Sequence, residues 1–236
     1  MKIKISAVKS RQAELEYYTN KYGFSLQDTS TSFELYLNLD RLELIQKNST
    51  AKPLSIDFDS KKLSYRHKNI KQELINKAVG KKNKNVNITD STAGLGQDAF
   101  LLASLGHRLT LIERSNIVAA LLEDAINRSN KQNLKLIYGN AINILQEQKL
   151  KPEIIYLDPM YPKTNKKAAQ KKGMQFFREI LANDDDSENL LEQALLSAKK
   201  RVVVKRPIKA DFLKQKPDAQ IKGKTTRFDI YLVQVK

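Results

Sequence analysis

The chain contains no cysteine, no tryptophan and only two histidines, His67 and His107, in 236 residues. Without cysteine there is no disulfide framework, no thiolate zinc site and no thiol nucleophile. With two histidines, no metal site is expected, and His107 reads as a surface residue in a loop before a strand. No run of 18 apolar residues occurs, so no membrane span is expected. The start, Met1-Lys2-Ile3-Lys4-Ile5, is too short and too alternating for a signal peptide. Acidic residues are in deficit: 26 Asp and Glu face 42 Lys and Arg, a net charge of +16. A polyanion, above all a nucleic acid, is the partner such an excess suits.

What is present divides in two. Residues 1–66 read as a small α+β unit. Lys2–Val8 alternates like a strand, and Ser10–Lys21 has helical spacing with Gly23 as its stop. Ser32–Leu39 and Arg41–Gln46 form a hairpin around Asn38-Leu39-Asp40. Leu54–Asp59 and Lys62–Tyr65 read as a second, shorter hairpin. Residues 67–236 read as the main domain. A helix over Asn69–Val79 leads into strands at Val86–Thr89, Leu109–Ile112, Leu134–Tyr138, Ile154–Leu157 and Arg201–Lys205, alternating with helices. A hairpin of Ala219–Lys222 and Phe228–Val233 closes the pattern. Repeated βα units imply right-handed crossovers and a parallel, Rossmann-like sheet.

The chemistry gathers where strands end. Asp90 ends the first main-domain strand, and Gly94 and Gly96 follow before a helix that begins near Gln97. Two glycines allow a tight turn and close approach of a ligand to the backbone, beneath the open N–H groups of the helix start. Gly94-x-Gly96-x-x-Ala99 also satisfies the loose dinucleotide pattern. However, Asp98 in the first helical turn would repel a pyrophosphate. S-adenosylmethionine carries no phosphate and has cationic amino and sulfonium groups, so acids suit it. Glu113, after the second strand, is placed to accept both ribose hydroxyls. A nicotinamide oxidoreductase would also lack an evident His or Tyr-x-x-x-Lys acid–base centre.

A second motif, Asp158-Pro159-Met160-Tyr161, ends the fourth strand. Asp158 and the Pro159 carbonyl are two acceptors for an exocyclic amine, and Tyr161 is an aromatic plate on which a base can stack. Lys163, Lys166 and Lys167 follow directly and suit phosphate contacts, as do Lys205 and Arg206 at the end of the fifth strand. Asp184-Asp185-Asp186 reads as a loop and helix N-cap.

Taken with Leu111-Ile112-Glu113-Arg114, Val118-Ala119-Ala120-Leu121-Leu122, Lys199-Lys200-Arg201-Val202-Val203-Val204-Lys205-Arg206-Pro207 and Arg227-Phe228-Asp229-Ile230-Tyr231, these motifs resemble the RsmJ-like family of small-subunit ribosomal RNA guanine-N2 methyltransferases. The resemblance runs from about Lys71 to Lys236. It implies a class I methyltransferase fold and S-adenosylmethionine as cofactor. It further implies methylation of the exocyclic N2 of one guanine in 16S rRNA, on the naked RNA or the small subunit, in the cytoplasm. By position, the family's cofactor contacts fall on Gln97, Asp98, Glu113, Arg114, Asn140, Ala141 and Asp158. Gln97 stands where a basic residue is expected, and Asn140-Ala141 replaces two small hydroxyl residues. Asp-Pro-x-Tyr alone also admits an amino-methyltransferase of DNA adenine or a protein amide. A non-catalytic RNA-binding assembly factor on the same fold is the alternative of another class. Monomer and homodimer are both compatible with the sequence.

Overall fold

A computed structural model describes residues 3–80, 85–160 and 186–233. These group into two compact units. Tyr161, Lys163, Lys166 and Lys167 lie outside the described residues.

The first unit takes the chain up to Asp57 together with Ser115–Asn130. It holds a three-stranded sheet of β1 (Lys4–Ala7), β2 (Phe33–Leu37) and β3 (Leu42–Gln46) in that order, β1 parallel and β3 antiparallel to β2. Alternation in β2 buries Phe33, Leu35 and Leu37 and leaves Glu34 and Tyr36 on the wetter face. Helix α1 (Gln12–Tyr22) ends at Gly23, whose φ of 70° is the left-handed stop expected of it. Helix α5 (Asn116–Arg128) joins this unit through Glu123, which accepts from Tyr17 at 3.0 Å and from Tyr22 at 2.9 Å.

The second unit carries the main sheet and three helices that precede or flank its first strand: α2 (Lys61–Lys68), α3 (Leu74–Val79) and α4 (Gln97–Ser104). The sheet comprises β4 (Asn87–Asp90), β5 (Arg108–Glu113), β6 (Leu134–Tyr138), β7 (Ile154–Leu157), β8 (Arg201–Pro207), β9 (Ala219–Lys222) and β10 (Thr226–Leu232). Their order is β6-β5-β4-β7-β8-β10-β9, parallel through β8 and antiparallel at β10 and β9. Helices α6 (Ala141–Gln146) and α7 (Ser187–Ser197) share a core with Ile155, Leu157, Val202, Val204 and Tyr231. β7 is buried at every position, as a central parallel strand must be. The order reverses between β4 and β7, and at such a switch point the carboxyl ends of the strands open a crevice.

Three local expectations are corrected. Lys62–Tyr65 is not a strand: it lies within α2, because Leu63 is the one buried residue and polar neighbours leave the rest of a helix free to face water. The helix expected over Asn69–Val79 is split. A 3₁₀ turn at Ile70–Gln72 precedes α3, and Glu73 between them is extended, with its carboxylate turned to Arg66. His107 does precede β5, but it is buried rather than on the surface, and burial lowers its pKa.

Candidate functional site

Strand register brings the predicted acids to one edge. Asp90 pairs with Leu111 and Tyr156, so the chain leaves β4 beside the ends of β5 and β7. The loop after β4 is then tied to both neighbours. Ala93 N–H donates to the Ile112 carbonyl at 3.1 Å, and Ser91 N–H to the Tyr156 carbonyl at 3.0 Å. Gly94 and Gly96 take φ of 51° and 66°, left-handed values that glycine adopts without strain. Gly96 precedes the first turn of α4, where Gln97 is the first residue.

Glu113 is buried at the end of β5, and its Oε2 accepts the Gly94 N–H at 2.9 Å. The acid suited to a ribose and the glycine loop are thereby a single structural piece. Asp90 is also buried, and its Oδ1 accepts the Thr92 N–H at 3.1 Å. Burial, reinforced by Asp98 and Asp158 nearby, pushes its pKa up to about 8. The loop from Asp90 to Ala99 holds no lysine or arginine. Its acidic side chains, with no basic residue among them, suit a cationic ligand with a vicinal diol better than a phosphate.

Asp158 follows β7. Its backbone N–H donates to Thr92 Oγ1 at 2.6 Å, which fixes the acceptor motif to the glycine loop. Its Oδ2 accepts from Lys205 Nζ at 2.8 Å. The same ammonium reaches Asp98 Oδ2 at 2.9 Å, and Tyr156 donates its hydroxyl to that oxygen at 2.8 Å. The other Asp98 oxygen accepts from Arg66 Nη2 at 2.9 Å. Burial alone would raise the Asp98 pKa, but Lys205 and Arg66 overcome it and hold the group down at about 2. Lys205 is raised in turn: burial works against its charge, and the two carboxylates outweigh it.

The remaining predicted residues are distributed unequally. Asn140 caps α6, its Oδ1 accepting the Ile142 N–H at 2.8 Å, and Ala141 is buried in the core beside it. Arg114 pairs with Asp186 at 2.9 Å, so Asp186 stands at the N-cap of α7 but spends its side chain on that pair. Lys205 and Arg206, expected together as RNA contacts, point to opposite faces of β8 as neighbours in a strand must. Arg206 is buried and donates to the Asp211 carbonyl, a position that holds the segment after β8 rather than a surface contact. Sequence reasoning missed Arg66 and Tyr156. Tyr156 was readable as an inward polar tip in an otherwise apolar strand. Arg66 gave no signal, being 32 residues from the Asp98 it contacts.

Among the described residues no group of His, Cys, Asp or Glu has metal-binding geometry, and no helix is long and apolar enough to cross a membrane.

Comparison with known proteins agrees with this geometry. A family model described as "Putative SAM-dependent methyltransferase" matches residues 18–233. The ribosomal RNA small subunit methyltransferase J of Buchnera aphidicola subsp. Schizaphis graminum is 44% identical over 219 residues, 87% of this chain and 88% of the relative. The protein of the same name from Idiomarina loihiensis is 41% identical over 229 residues, 90% of this chain and 87% of the relative. The crystal structure of a SAM-dependent methyltransferase from Neisseria gonorrhoeae superposes with a TM-score of 0.76 at 33% identity, covering 98% of this chain and 96% of that one.

Proposed function

The chain belongs to the SAM-dependent methyltransferase family that includes the ribosomal RNA small subunit methyltransferases J, and we propose that it methylates the exocyclic N2 of one guanine in 16S rRNA, in the cytoplasm. The observation that carries this reading is the joining of two sites at one switch point. An acidic glycine loop fit for S-adenosylmethionine is hydrogen-bonded, through Thr92 Oγ1, to an Asp-Pro acceptor pair fit for a planar amine.

In this reading Glu113 holds the ribose hydroxyls, and the N–H groups of the loop and of the first α4 turn face the ligand. Gln97, Arg114, Asn140 and Ala141 border the nucleoside, with Asn140 and Ala141 acting through the backbone at the start of α6. Asp98 supplies negative charge near the cationic end, and Asp90, protonated at neutral pH, borders the ligand as a neutral polar group. When bound, the cofactor provides an electrophilic methyl group on a sulfonium. The protein's part is to aim the nucleophile. Asp158 and the Pro159 carbonyl accept the two N2 hydrogens and turn the nitrogen lone pair out of the purine ring. The Asp158 Oδ2 is committed to Lys205, which leaves orientation of the amine as the carboxylate's task; the proton shed by N2 passes to water. Tyr161 stacks on the base, and Lys163, Lys166 and Lys167 meet flanking phosphates. Positioning of this kind supplies roughly 7–11 kcal/mol of barrier reduction.

The test is transfer of labelled methyl from S-adenosylmethionine to unmodified small subunits and to naked 16S rRNA, followed by nucleoside analysis. Label in N2-methylguanosine that disappears in Asp158→Ala, with the fold intact, is the expected result. Label in another nucleoside, or undiminished turnover by the variant, overturns the assignment.

A further inference from the structure

We propose that helix α2 is a docking surface for an unpaired stretch of the substrate rRNA beside the acceptor site, an inference that rests on the methyltransferase reading above. Lys61, Tyr65 and Lys68 recur at i, i+4 and i+7 and so share one stripe of the helix. All three are exposed, Tyr65 at 71%. The opposite side is anchored. Leu63 is buried, the His67 ring meets Phe100 of α4 edge-on at 6.4 Å, and Arg66 binds Asp98 of α4.

The charge on α2 is unfavourable for a free helix. Its eight residues, Lys-Lys-Leu-Ser-Tyr-Arg-His-Lys, include no acid. Two lysines occupy the N-terminal turn, where the helix dipole repels cations, and like charges recur at helical spacing. Arg66 alone is neutralised, by Glu73 and Asp98. Lys61, Lys62 and Lys68 have no acidic partner within ion-pair distance among the described residues. A polyanion reverses the sign of each of these terms. The exposed tyrosine between cations adds what phosphates alone do not need, a plate on which a base can stack, and that combination is the one single-stranded RNA fits. The anchored side of the helix is tied to the chemistry: Arg66 to Asp98, Asp98 to Lys205 and Lys205 to Asp158 are three successive contacts of 2.9, 2.9 and 2.8 Å.

The experiment compares wild type, the triple variant Lys61→Ala/Lys62→Ala/Lys68→Ala, Tyr65→Ala and Tyr65→Phe. The readouts are binding to a labelled 16S rRNA fragment across salt, steady-state methylation of small subunits, and S-adenosylmethionine titration. The triple variant should lower the salt slope of RNA binding by about 2, from three single-strand phosphate contacts. Its KM for RNA should rise at least tenfold, with kcat and cofactor affinity little changed. Tyr65→Ala should weaken RNA binding by roughly 5- to 150-fold, the range for loss of one stacked base, and Tyr65→Phe should restore it. An unchanged slope and KM in the triple variant, with wild type methylating normally, overturn the role of α2 and leave the activity standing. A wild type that methylates no small-subunit RNA, yet whose binding slope still falls in the triple variant, overturns the activity and keeps α2 as a nucleic-acid surface.

Discussion

Replacing Lys205 by Met keeps the length of the side chain and removes one charge from between two carboxylates. The ammonium makes bonds of 2.9 Å to Asp98 and 2.8 Å to Asp158. Asp98 is nearly enclosed, with its side chain 12% exposed, whereas that of Asp158 is 37% exposed and more screened. Breaking the enclosed pair should cost about 3 kcal/mol, the low end for loss of one partner of a buried pair, because Arg66 still holds the other oxygen. The pH dependence follows from Asp98. Its folded-state pKa of about 2 lies below the ordinary 3.8. The stability this gives is fully present above the unfolded value and is lost as pH falls through 4 towards 2, an amount of about 2 kcal/mol. In Lys205→Met that contribution shrinks, so the gap between wild type and variant should be full at pH 5–8 and narrow at lower pH. Urea denaturation at a series of pH values measures it. Turnover should fall at least tenfold through loss of Asp158 orientation. Lys205→Arg should recover most of the stability and less of the turnover, since a fork cannot place one donor on both oxygens in the same way. A Lys205→Met protein within about 0.5 kcal/mol of wild type across that range, the scatter of neutral surface changes, would refute the claim that this cation holds the site together.

Three further outcomes are expected. Glu113→Gln should weaken S-adenosylmethionine about 10- to 100-fold by calorimetry, with kcat at saturation little altered, because it trades charge-assisted bonds to the ribose for neutral ones. Asp90, whose pKa is raised to about 8, gives stability that is whole below pH 4 and lost as pH rises through 8; Asp90→Asn should flatten the fall in stability between those limits, by several kcal/mol, as read from thermal melts. Arg227 is buried, pairs with Asp229 at 2.9 Å and donates to the Ile208 and Ala210 carbonyls at 2.9 and 2.6 Å; Arg227→Met should cost about 3–5 kcal/mol in denaturant stability by stranding Asp229 and those carbonyls.

The residues that were legible in the sequence are those whose role is local. Gly94 and Gly96 announce a turn wherever they fall, and Leu134–Tyr138 is a strand at the residues its alternation marks. Glu113 was identified because its place at a strand end is a matter of counting. What was not legible depends on contacts across the chain. Arg66 faces Asp98 because α2 lies on α4, a fact with no trace in either segment. Leu63 and Tyr65 alternate like a strand, and two positions cannot distinguish that from one buried and one exposed helical residue. Lys205 carried a basic signal, but whether a strand-end lysine points to solvent or to two acids depends on which carboxylates the neighbouring strands deliver.

The deployment of charge joins these points. The protein is strongly basic, with a net charge of +16, yet Asp90, Asp98, Glu113 and Asp158 stand together at one sheet edge. A surface that attracts a polyanion repels a cationic cofactor, and the two ligands have to meet within bonding distance of each other. Burial resolves the conflict, since fields inside a low-dielectric crevice are dominated by the nearest groups, while the surface excess acts over a Debye length of about 10 Å or less at physiological salt. Buried carboxylates crowded without a cation would protonate, as Asp90 already does at neutral pH, chiefly through burial and in lesser part through Asp98 and Asp158. Lys205 and Arg66 supply the positive charge that keeps Asp98 ionised. Raising ionic strength should accordingly separate the two affinities: RNA binding should weaken steeply between 50 and 200 mM salt, by roughly 10³-fold or more if six phosphates are engaged, while S-adenosylmethionine affinity changes by less than about threefold, because its partners are enclosed and weakly screened. Parallel loss of both affinities over that range would mean that the acids act through the open solvent, and the division between a basic exterior and an acidic crevice would fall with it.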